Sequence, residues 1–275
     1  MTLRIIYQPS QLIYPEFKLI EHDCFPEAPL DEIFFSEIVS QDFWGAYLDD
    51  KFVGYIYLAQ RSGFPMIYRV GIYNIYRQQG IGKMLVQKAI DHCYQIKKPK
   101  IFLYVQKKNT VAIKLYENFG FQKKESFYQY IVPIKEFFSL YDKRDSCSLT
   151  ASPIKNEDLA FLPQLSEEWS NLPSFHDPPR NYVLIFKNQQ DKIQGFCRLN
   201  PNFSGCFPFI IRSQYTLFPE FLFSLKEYIN PDKTILKLTF SDQNLVNICK
   251  IKKFRLNQES FKMEKELEKE YPSKR

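Results

Sequence analysis

The feature that most constrains the fold is a strand–helix–strand run between residues 66 and 105. Residues 66–72 and 101–105 are short and apolar, whereas residues 81–96 repeat apolar side chains with the period of a helix that has one buried face. Such a run predicts two parallel strands joined by a right-handed crossover. The chain is therefore expected to build a mixed α/β sheet around this unit.

The flanking residues extend this sheet. Two runs rich in aromatic and β-branched residues, 43–48 and 52–60, predict a hairpin. The remaining predicted elements are a first strand, three helices and a last strand, at residues 3–8, 15–23, 29–40, 110–118 and 126–132. The polar, turn-rich stretch 142–153 predicts a boundary between two domains, 1–142 and 143–275.

The second half echoes the first. The hairpin at 43–60 is answered at 182–200, with a glycine early in the second strand of each, Gly54 and Gly195. Residues 118–131 are answered by residues 252–266 at nearly the same separation. This pattern predicts a degenerate tandem repeat.

Composition and charge exclude several classes of protein. A chain with 45% hydrophobic and 17% aromatic residues can bury a core. The net charge of +6 is scattered along the chain, which argues against a nucleic-acid partner. No run approaches the roughly 20 apolar residues that span a bilayer, and a soluble, cytoplasmic protein without a membrane partner is expected. The six cysteines show no metal-binding spacing and are expected to be reduced: Cys24, Cys93, Cys147, Cys197, Cys206 and Cys249.

A glycine-containing turn lies where strand 66–72 meets helix 81–96. It reads Arg77-Gln78-Gln79-Gly80-Ile81-Gly82. Glycines at a helix N-terminus let a ligand approach the backbone, and the free N–H groups and helix dipole favour an anion. The turn can therefore hold a pyrophosphate without a metal, although glycines also suit a tight turn for steric reasons alone.

A second motif follows the strand at 101–105: Asn109-x-x-Ala112-x-x-Leu115-Tyr116-x-x-x-Gly120-Phe121. In this order and spacing, the two motifs resemble those of the GNAT superfamily of acyl-CoA N-acyltransferases. The resemblance covers residues 3–132 in element order and residues 66–121 in motif. It implies a mostly antiparallel central sheet flanked by helices, acetyl-CoA as co-substrate, no metal, and a small-molecule or peptide amine as acceptor.

The resemblance also assigns roles to residues. Val70, Gly71 and Ile72 would offer backbone groups to the pantetheine arm, and Asn109 would bond that arm or the chain around it. Tyr116 would donate a proton to the departing thiolate, although a core tyrosine is the alternative. The pyrophosphate would be held by the turn and first helical residues, with charge from Arg77 and Lys83: Arg77, Gln78, Gln79, Gly80, Ile81, Gly82 and Lys83.

The base that would deprotonate the amine is not apparent. Many members of the superfamily carry a glutamate on the strand that corresponds to 66–72, and this strand has no carboxylate. A water chain, or an amine that binds already neutral, would serve instead. The candidate side chains are Tyr68, Glu21, Asp23, Glu27, Asp31 and His22. His92, expected on the exposed side of its helix, and His176, in a Pro-rich loop, have no predicted partner.

The second half lacks the chemical residues. Its segment 209–225 has no glycine and contains Pro219; Cys249 aligns with Tyr116 and Asp242 with Asn109. We expect a domain that packs against the first, borders the acceptor groove through Trp169 and loop 171–181, or forms a homodimer contact. Three functions stay open: an N-acetyltransferase, a non-catalytic regulator that binds acyl-CoA, and an unrelated α/β protein.

Overall fold

A computed structural model describes residues 2–61, 63–141, 148–164, 172–212 and 215–267. By its contacts the chain divides into two compact units, unit 1 (Met1–Lys124 with Lys262–Arg275) and unit 2 (Glu125–Phe261). The predicted boundary between residues 142 and 143 falls outside the described residues, as do Cys147 and Trp169.

Unit 1 contains a mixed, mostly antiparallel sheet in the order β1-β2-β3-β4-β5-β12. Its first four strands pair antiparallel, and β4 and β5 pair parallel, as the strand–helix–strand run predicts. Its strands are β1 Leu3–Tyr7, β2 Asp42–Leu48, β3 Lys51–Arg61, β4 Phe64–Ile72, β5 Lys100–Gln106 and the end of β12 Arg255–Glu266. Its helices are α1 Tyr14–Cys24, α2 Glu32–Ile38, α3 Ile81–Gln95 and α4 Thr110–Asn118.

Helices cover both faces of this sheet because strand side chains alternate between the faces. On one face, Phe17 of α1 and Phe35 of α2 pack with Phe43 and Tyr55 of the hairpin in one apolar cluster. On the other face, α3 contacts β2 to β5 and buries the stripe that its periodicity predicts. The predicted hairpin, crossover helix and nine-residue α4 are confirmed.

Unit 2 contains strands of which β10 and β11 pair parallel, whereas β6 with β11, β9 with β10, β8 with β9 and β7 with β8 pair antiparallel. Its strand order is the first part of β12, then β6-β11-β10-β9-β8-β7. Its further strands are β6 Gln122–Pro133, β7 Leu149–Pro153, β8 Tyr182–Asn188, β9 Ile193–Asn200, β10 Gly205–Ile211 and β11 Ile235–Phe240. Its helices are α5 Ile134–Tyr141, α6 Phe218–Phe223 and α7 Gln243–Ile251. None of the helices in the described ranges is long and apolar enough to cross a bilayer.

The last strand of each half pairs in an order that the sequence did not predict. The end of β12 adjoins β5 in unit 1, where the N–H of Leu267 donates to the carbonyl of Pro99 at 2.8 Å. In unit 2, β6 pairs antiparallel with β11 from Ile235↔Pro133 to Phe240↔Tyr128. Each unit is therefore completed by a segment from the other half of the chain.

Candidate active site

The two parallel strands of unit 1 separate toward their carboxyl ends. The β4–β5 ladder joins Met66 to Phe102 and Ile67 to Leu103 and, within the described residues, extends no further. Residues 70–72 still pair with β3 on their other side. An unpaired strand edge can accept an extended ligand through main-chain hydrogen bonds, as an added strand would. The three predicted arm-binding residues lie on this edge.

The turn after β4 leaves its backbone N–H groups free. Gln78 and Gly80 have positive φ values of 63° and 82°, and at Gly80 only a residue without Cβ takes this conformation at no steric cost. The N–H of Arg77 donates to the Asn74 carbonyl and that of Met84 to the Gly80 carbonyl. In the part of the chain that is described, the six N–H groups between them, at residues 78–83, have no acceptor. They surround the N-terminus of α3, where the helix dipole favours an anion.

Gly82 and Lys83 complete the first turn of α3. A Cβ on Gly82 would lie 3.1 Å from Cδ1 of Ile72 and 3.5 Å from Cδ2 of Leu115, so the glycine lets α3 begin close to β4 and α4. Lys83 is exposed, and the described first turn of α3 contains no acidic residue. The potential at this turn is therefore positive.

The side chain of Arg77 turns away from the N–H groups and binds the protein. Its Nε donates to the Ile72 carbonyl at 2.8 Å, and its guanidinium forms an ion pair with Asp23 at 2.5 Å. The guanidinium charge is thus largely neutralised within unit 1. The sequence predicted this arginine as a source of charge for a phosphate, and it contained no signal for the pairing with Asp23.

The second motif places a cap and a phenol on one helix. The side chain of Asn109 accepts a hydrogen bond from the N–H of Ala112 at 3.1 Å and so caps α4. The role of Asn109 toward the cofactor arm stays a prediction. Tyr116, 7% exposed, lies edge-on to Phe121, and its hydroxyl has no hydrogen-bond partner among the described residues. Burial raises the pKa of Tyr116 above its ordinary range, so the phenol stays protonated.

Glu21, one of the candidate bases, is buried and held by hydrogen bonds and an ion pair. It is fully buried, accepts from the Leu30 N–H at 2.6 Å and from the Tyr55 hydroxyl, and pairs with Arg69 at 2.5 Å. Burial, above all, and the Glu21 charge raise the pKa of Tyr55, which therefore stays a neutral donor. A carboxylate with these partners cannot reach a substrate amine. Glu21 holds the connection between α1 and α2 on β4.

The other candidate bases divide into engaged and exposed groups. Asp23 accepts from the Asn74 N–H at 2.9 Å as well as from Arg77, and Asp31 caps α2 through the Phe34 N–H at 2.8 Å. Glu27 and His22 are exposed. Tyr68 is the extra residue of a bulge in β4, because the β3–β4 register shifts there, and it stacks on Phe34 with centroids 5.8 Å apart.

Both remaining histidines have partners that the sequence did not reveal. The expectation that His92 is exposed was wrong: its Nε2 lies 3.0 Å from Oδ1 of Asp42, and its ring meets Trp44 edge-on. The Nδ1 atom of His176 accepts from the Val183 N–H at 3.0 Å, which anchors its loop. Cys93 is buried, as predicted, and burial raises the pKa of its thiol to about 12. In the described ranges, no three His, Cys, Asp or Glu side chains group as a metal site would require.

Unit 2 keeps the helix that follows the parallel strands and loses the anion site. Asp242 caps α7 through the Asn244 N–H at 2.8 Å, and its other oxygen accepts from Tyr215 at 2.5 Å. The short α6 begins at Phe218 and has Pro219, without an N–H, in its first turn. Cys249 is buried, and burial raises its pKa to about 12, which makes it an inert core thiol.

Comparison with known proteins agrees with this geometry. Residues 10–121 match the model of the acetyltransferase (GNAT) family. The chain is 35% identical over 82 residues to a mycothiol acetyltransferase of Corynebacterium glutamicum strain R. The match covers 30% of this chain and spans only 28% of the length of that relative.

Several solved structures resemble nearly the whole chain, and two of them illustrate the likeness. One is a putative acetyltransferase from Pyrococcus horikoshii, with a TM-score of 0.69 and 14% identity, covering 98% of this chain and 91% of that one. The other is a tandem GNAT protein from the clavulanic acid biosynthesis pathway, with a TM-score of 0.65 and 12% identity, covering 96% and 98%. At these identities the likeness shows the fold, here a tandem GNAT fold.

Proposed function

We propose that this protein transfers an acetyl group from acetyl-CoA to a primary amine at the site in unit 1. The observation that carries the proposal is the row of six backbone N–H groups at residues 78–83, which have no acceptor among the described residues and follow a strand edge that has no partner in the same ranges. That arrangement suits a diphosphate attached to an extended, amide-containing arm, which is the chemistry of coenzyme A. The matching GNAT family over residues 10–121 supports the same assignment.

Each part of the site has a role in this reaction. The 70–72 edge holds the arm, the 78–83 N–H groups hold the pyrophosphate, and Lys83 adds charge. The acceptor nitrogen forms a bond to the acetyl carbon, the carbon–sulfur bond breaks, and the amine loses one proton. Tyr116 donates its phenolic proton to the sulfur as negative charge develops there, and the proton lost by the nitrogen passes through water to restore the phenol.

Three of the four candidate carboxylates of the α1–α2 region are already engaged, and the fourth, Glu27, is exposed. Glu21, Asp23 and Asp31 are all engaged by backbone or arginine donors. We propose that the acceptor enters as the neutral amine. The rate should then rise with pH along the pKa of the acceptor itself, and His22→Ala should leave that profile unchanged. A profile that moves in the His22 variant would assign the base to that residue.

Calorimetric titration with acetyl-CoA tests the proposal. Micromolar affinity at one site per chain is expected, and two sites per chain would show that unit 2 also binds. Turnover is then followed as released thiol with small amines, aminoglycosides, polyamines, peptide N-termini and lysine peptides as acceptors. Failure to bind acetyl-CoA would contradict the assignment.

A second candidate function is a regulator that binds acyl-CoA without transferring the acyl group. The absence of a carboxylate from β4 favours it. Such a protein would bind acetyl-CoA and release no thiol with any amine. We also propose that the protein acts in the cytoplasm without nucleic acid or membrane, and light scattering would test the proposed homodimer.

A further inference from the structure

The last turn of α1 holds both ends of the strand segment that we assign to the pantetheine arm. Glu21 and Asp23, two residues apart, pair with Arg69 and Arg77, which flank residues 70–72. We propose that these two ion pairs form a clamp that sets the position of the 70–72 edge, and that Asp23 and Arg77 are positioning residues for acetyl-CoA. This inference rests on the proposed function.

The Glu21 end of the clamp is rigid. The guanidinium of Arg69 pairs with Glu21, donates to the Ala28 carbonyl at 2.7 Å, and lies 4.3 Å above the centroid of the Phe25 ring. A buried carboxylate and an arginine that is 13% exposed are costly to separate, because each would be left as an uncompensated charge. The start of the 70–72 segment is therefore fixed to α1.

The Asp23 end is more exposed and reaches the anion-binding turn. Arg77 is 46% exposed and Asp23 19% exposed in their side chains. Asp23 also accepts from the Asn74 N–H, and the Cys24 thiol donates to the Ile72 carbonyl at 3.3 Å. Burial is the main reason that the pKa of Cys24 is raised, so this group remains a thiol and keeps its proton to donate. Three contacts from one helical turn thus hold the end of β4 and the start of the turn.

The clamp replaces contacts that the separated strands have lost. Beyond Ile67, β4 has ladder partners on the β3 side and, within the described parts of the chain, none on the other side. A strand edge that is to receive a ligand needs to be held in place before the ligand arrives, because ordering it on binding would weaken affinity. Arg77 supplies this through its bonds to Ile72 and Asp23. In that role the hydrogen-bonding geometry of the Arg77 side chain matters, whereas its positive charge near the phosphate does not.

Four variants separate the geometric role from a charge role: Arg77→Lys, Arg77→Gln, Asp23→Asn and the double variant Asp23→Asn/Arg77→Gln. Lysine keeps the charge but cannot make the bonds from Nε and the terminal nitrogen together. We expect each single variant, lysine included, to weaken acetyl-CoA binding about tenfold. The double variant should lose about tenfold, not a hundredfold, because the two residues act as one unit.

Calorimetry with acetyl-CoA measures these affinities, and thermal unfolding of each unliganded variant shows that the fold is intact. Arg4→Gln is the matched control, since it removes an exposed arginine–aspartate pair with Asp50, far from the turn in sequence, and should bind as wild type does. Wild-type affinity in Arg77→Lys, or additive losses in the double variant, would overturn the clamp. Absence of binding by the wild type would instead refute the proposed function itself.

Discussion

The same helix–strand pair occurs in both halves of the chain. The features that packing requires are alike in the two pairs, and the residues that would carry chemistry differ. In unit 1, α4 has nine residues, is capped by Asn109 and precedes the 12-residue β6. In unit 2, α7 has nine residues, is capped by Asp242 and precedes the 12-residue β12. Tyr116, however, is matched by the buried thiol of Cys249. A cap is needed wherever a helix begins, whereas a proton donor is needed only at a reaction site.

The sheets of the two units show the same contrast between residues that packing requires and residues that would carry chemistry. A Cβ on Gly54 would lie 2.8 Å from the Gly71 carbonyl oxygen, and a Cβ on Gly195 would lie closer still to the Ile210 carbonyl oxygen. Both hairpins therefore need glycine at this point for the same steric reason. Gly71 itself is matched by Ile210. Thus the glycine that the sheet geometry requires occurs in both units, as Gly54 and Gly195. The glycine at the ligand edge, Gly71, has no counterpart at Ile210.

The largest expected effect comes from the turn that the two units do not share. Gly82→Glu places a side chain against Ile72 and a negative charge at the anion site, and should weaken acetyl-CoA binding more than about a hundredfold. Thr216→Glu, at an exposed position before α6, is the control in unit 2 and should bind normally. Calorimetry would measure both. Equal losses would mean that the two units share in binding.

Replacing either of the paired glycines by alanine should lower the free energy of unfolding, but only the replacement in unit 1 should weaken acetyl-CoA binding. Gly54→Ala and Gly195→Ala each force a methyl group against a carbonyl oxygen of the neighbouring strand and should cost about 2–3 kcal/mol of unfolding free energy. Gly54→Ala should also displace Gly71 and weaken acetyl-CoA binding, whereas Gly195→Ala should not. Denaturant unfolding and calorimetry would separate the two. Unchanged affinity in Gly54→Ala would show that the 70–72 edge is not a binding element.

Removing the phenol should affect turnover and not binding. Tyr116→Phe is expected to slow acetyl transfer about 10- to 100-fold, at the low end for a general acid because a thiolate is a good leaving group. Cys249→Ala should leave turnover unchanged and cost about 1–2 kcal/mol of stability. The raised pKa of Tyr116 extends its protonated range upward, so the wild-type rate should not fall before pH exceeds the ordinary tyrosine value of 10.0. A decline at lower pH that disappears in Tyr116→Phe would contradict the raised pKa of this donor.

Sequence predicted what is local and missed what is distant. The period of α3 and the glycines of the turn are written in neighbouring residues, and both were found. The pairing of Arg77 with Asp23 and of His92 with Asp42 joins residues about 50 apart. The exchange of β6 and β12 likewise depends on which strand edge a segment meets in three dimensions. Charge and hydrophobic period carry no information about such partners.

The smallest expected effect tests whether the two caps are equivalent. Asn109→Ala and Asp242→Ala each remove the acceptor for a helix N–H and should cost about 1 kcal/mol. Asp242→Ala should cost somewhat more, because the Tyr215 hydroxyl also loses its partner. Asn109→Asp keeps the cap and should restore stability. Because α4 also carries Tyr116, loss of the cap in Asn109→Ala should loosen this helix and slow turnover. Asp242→Ala should leave the rate unchanged. If Asn109→Asp restored stability but not acetyl-CoA affinity, the amide nitrogen of Asn109 would have a ligand role beyond the cap.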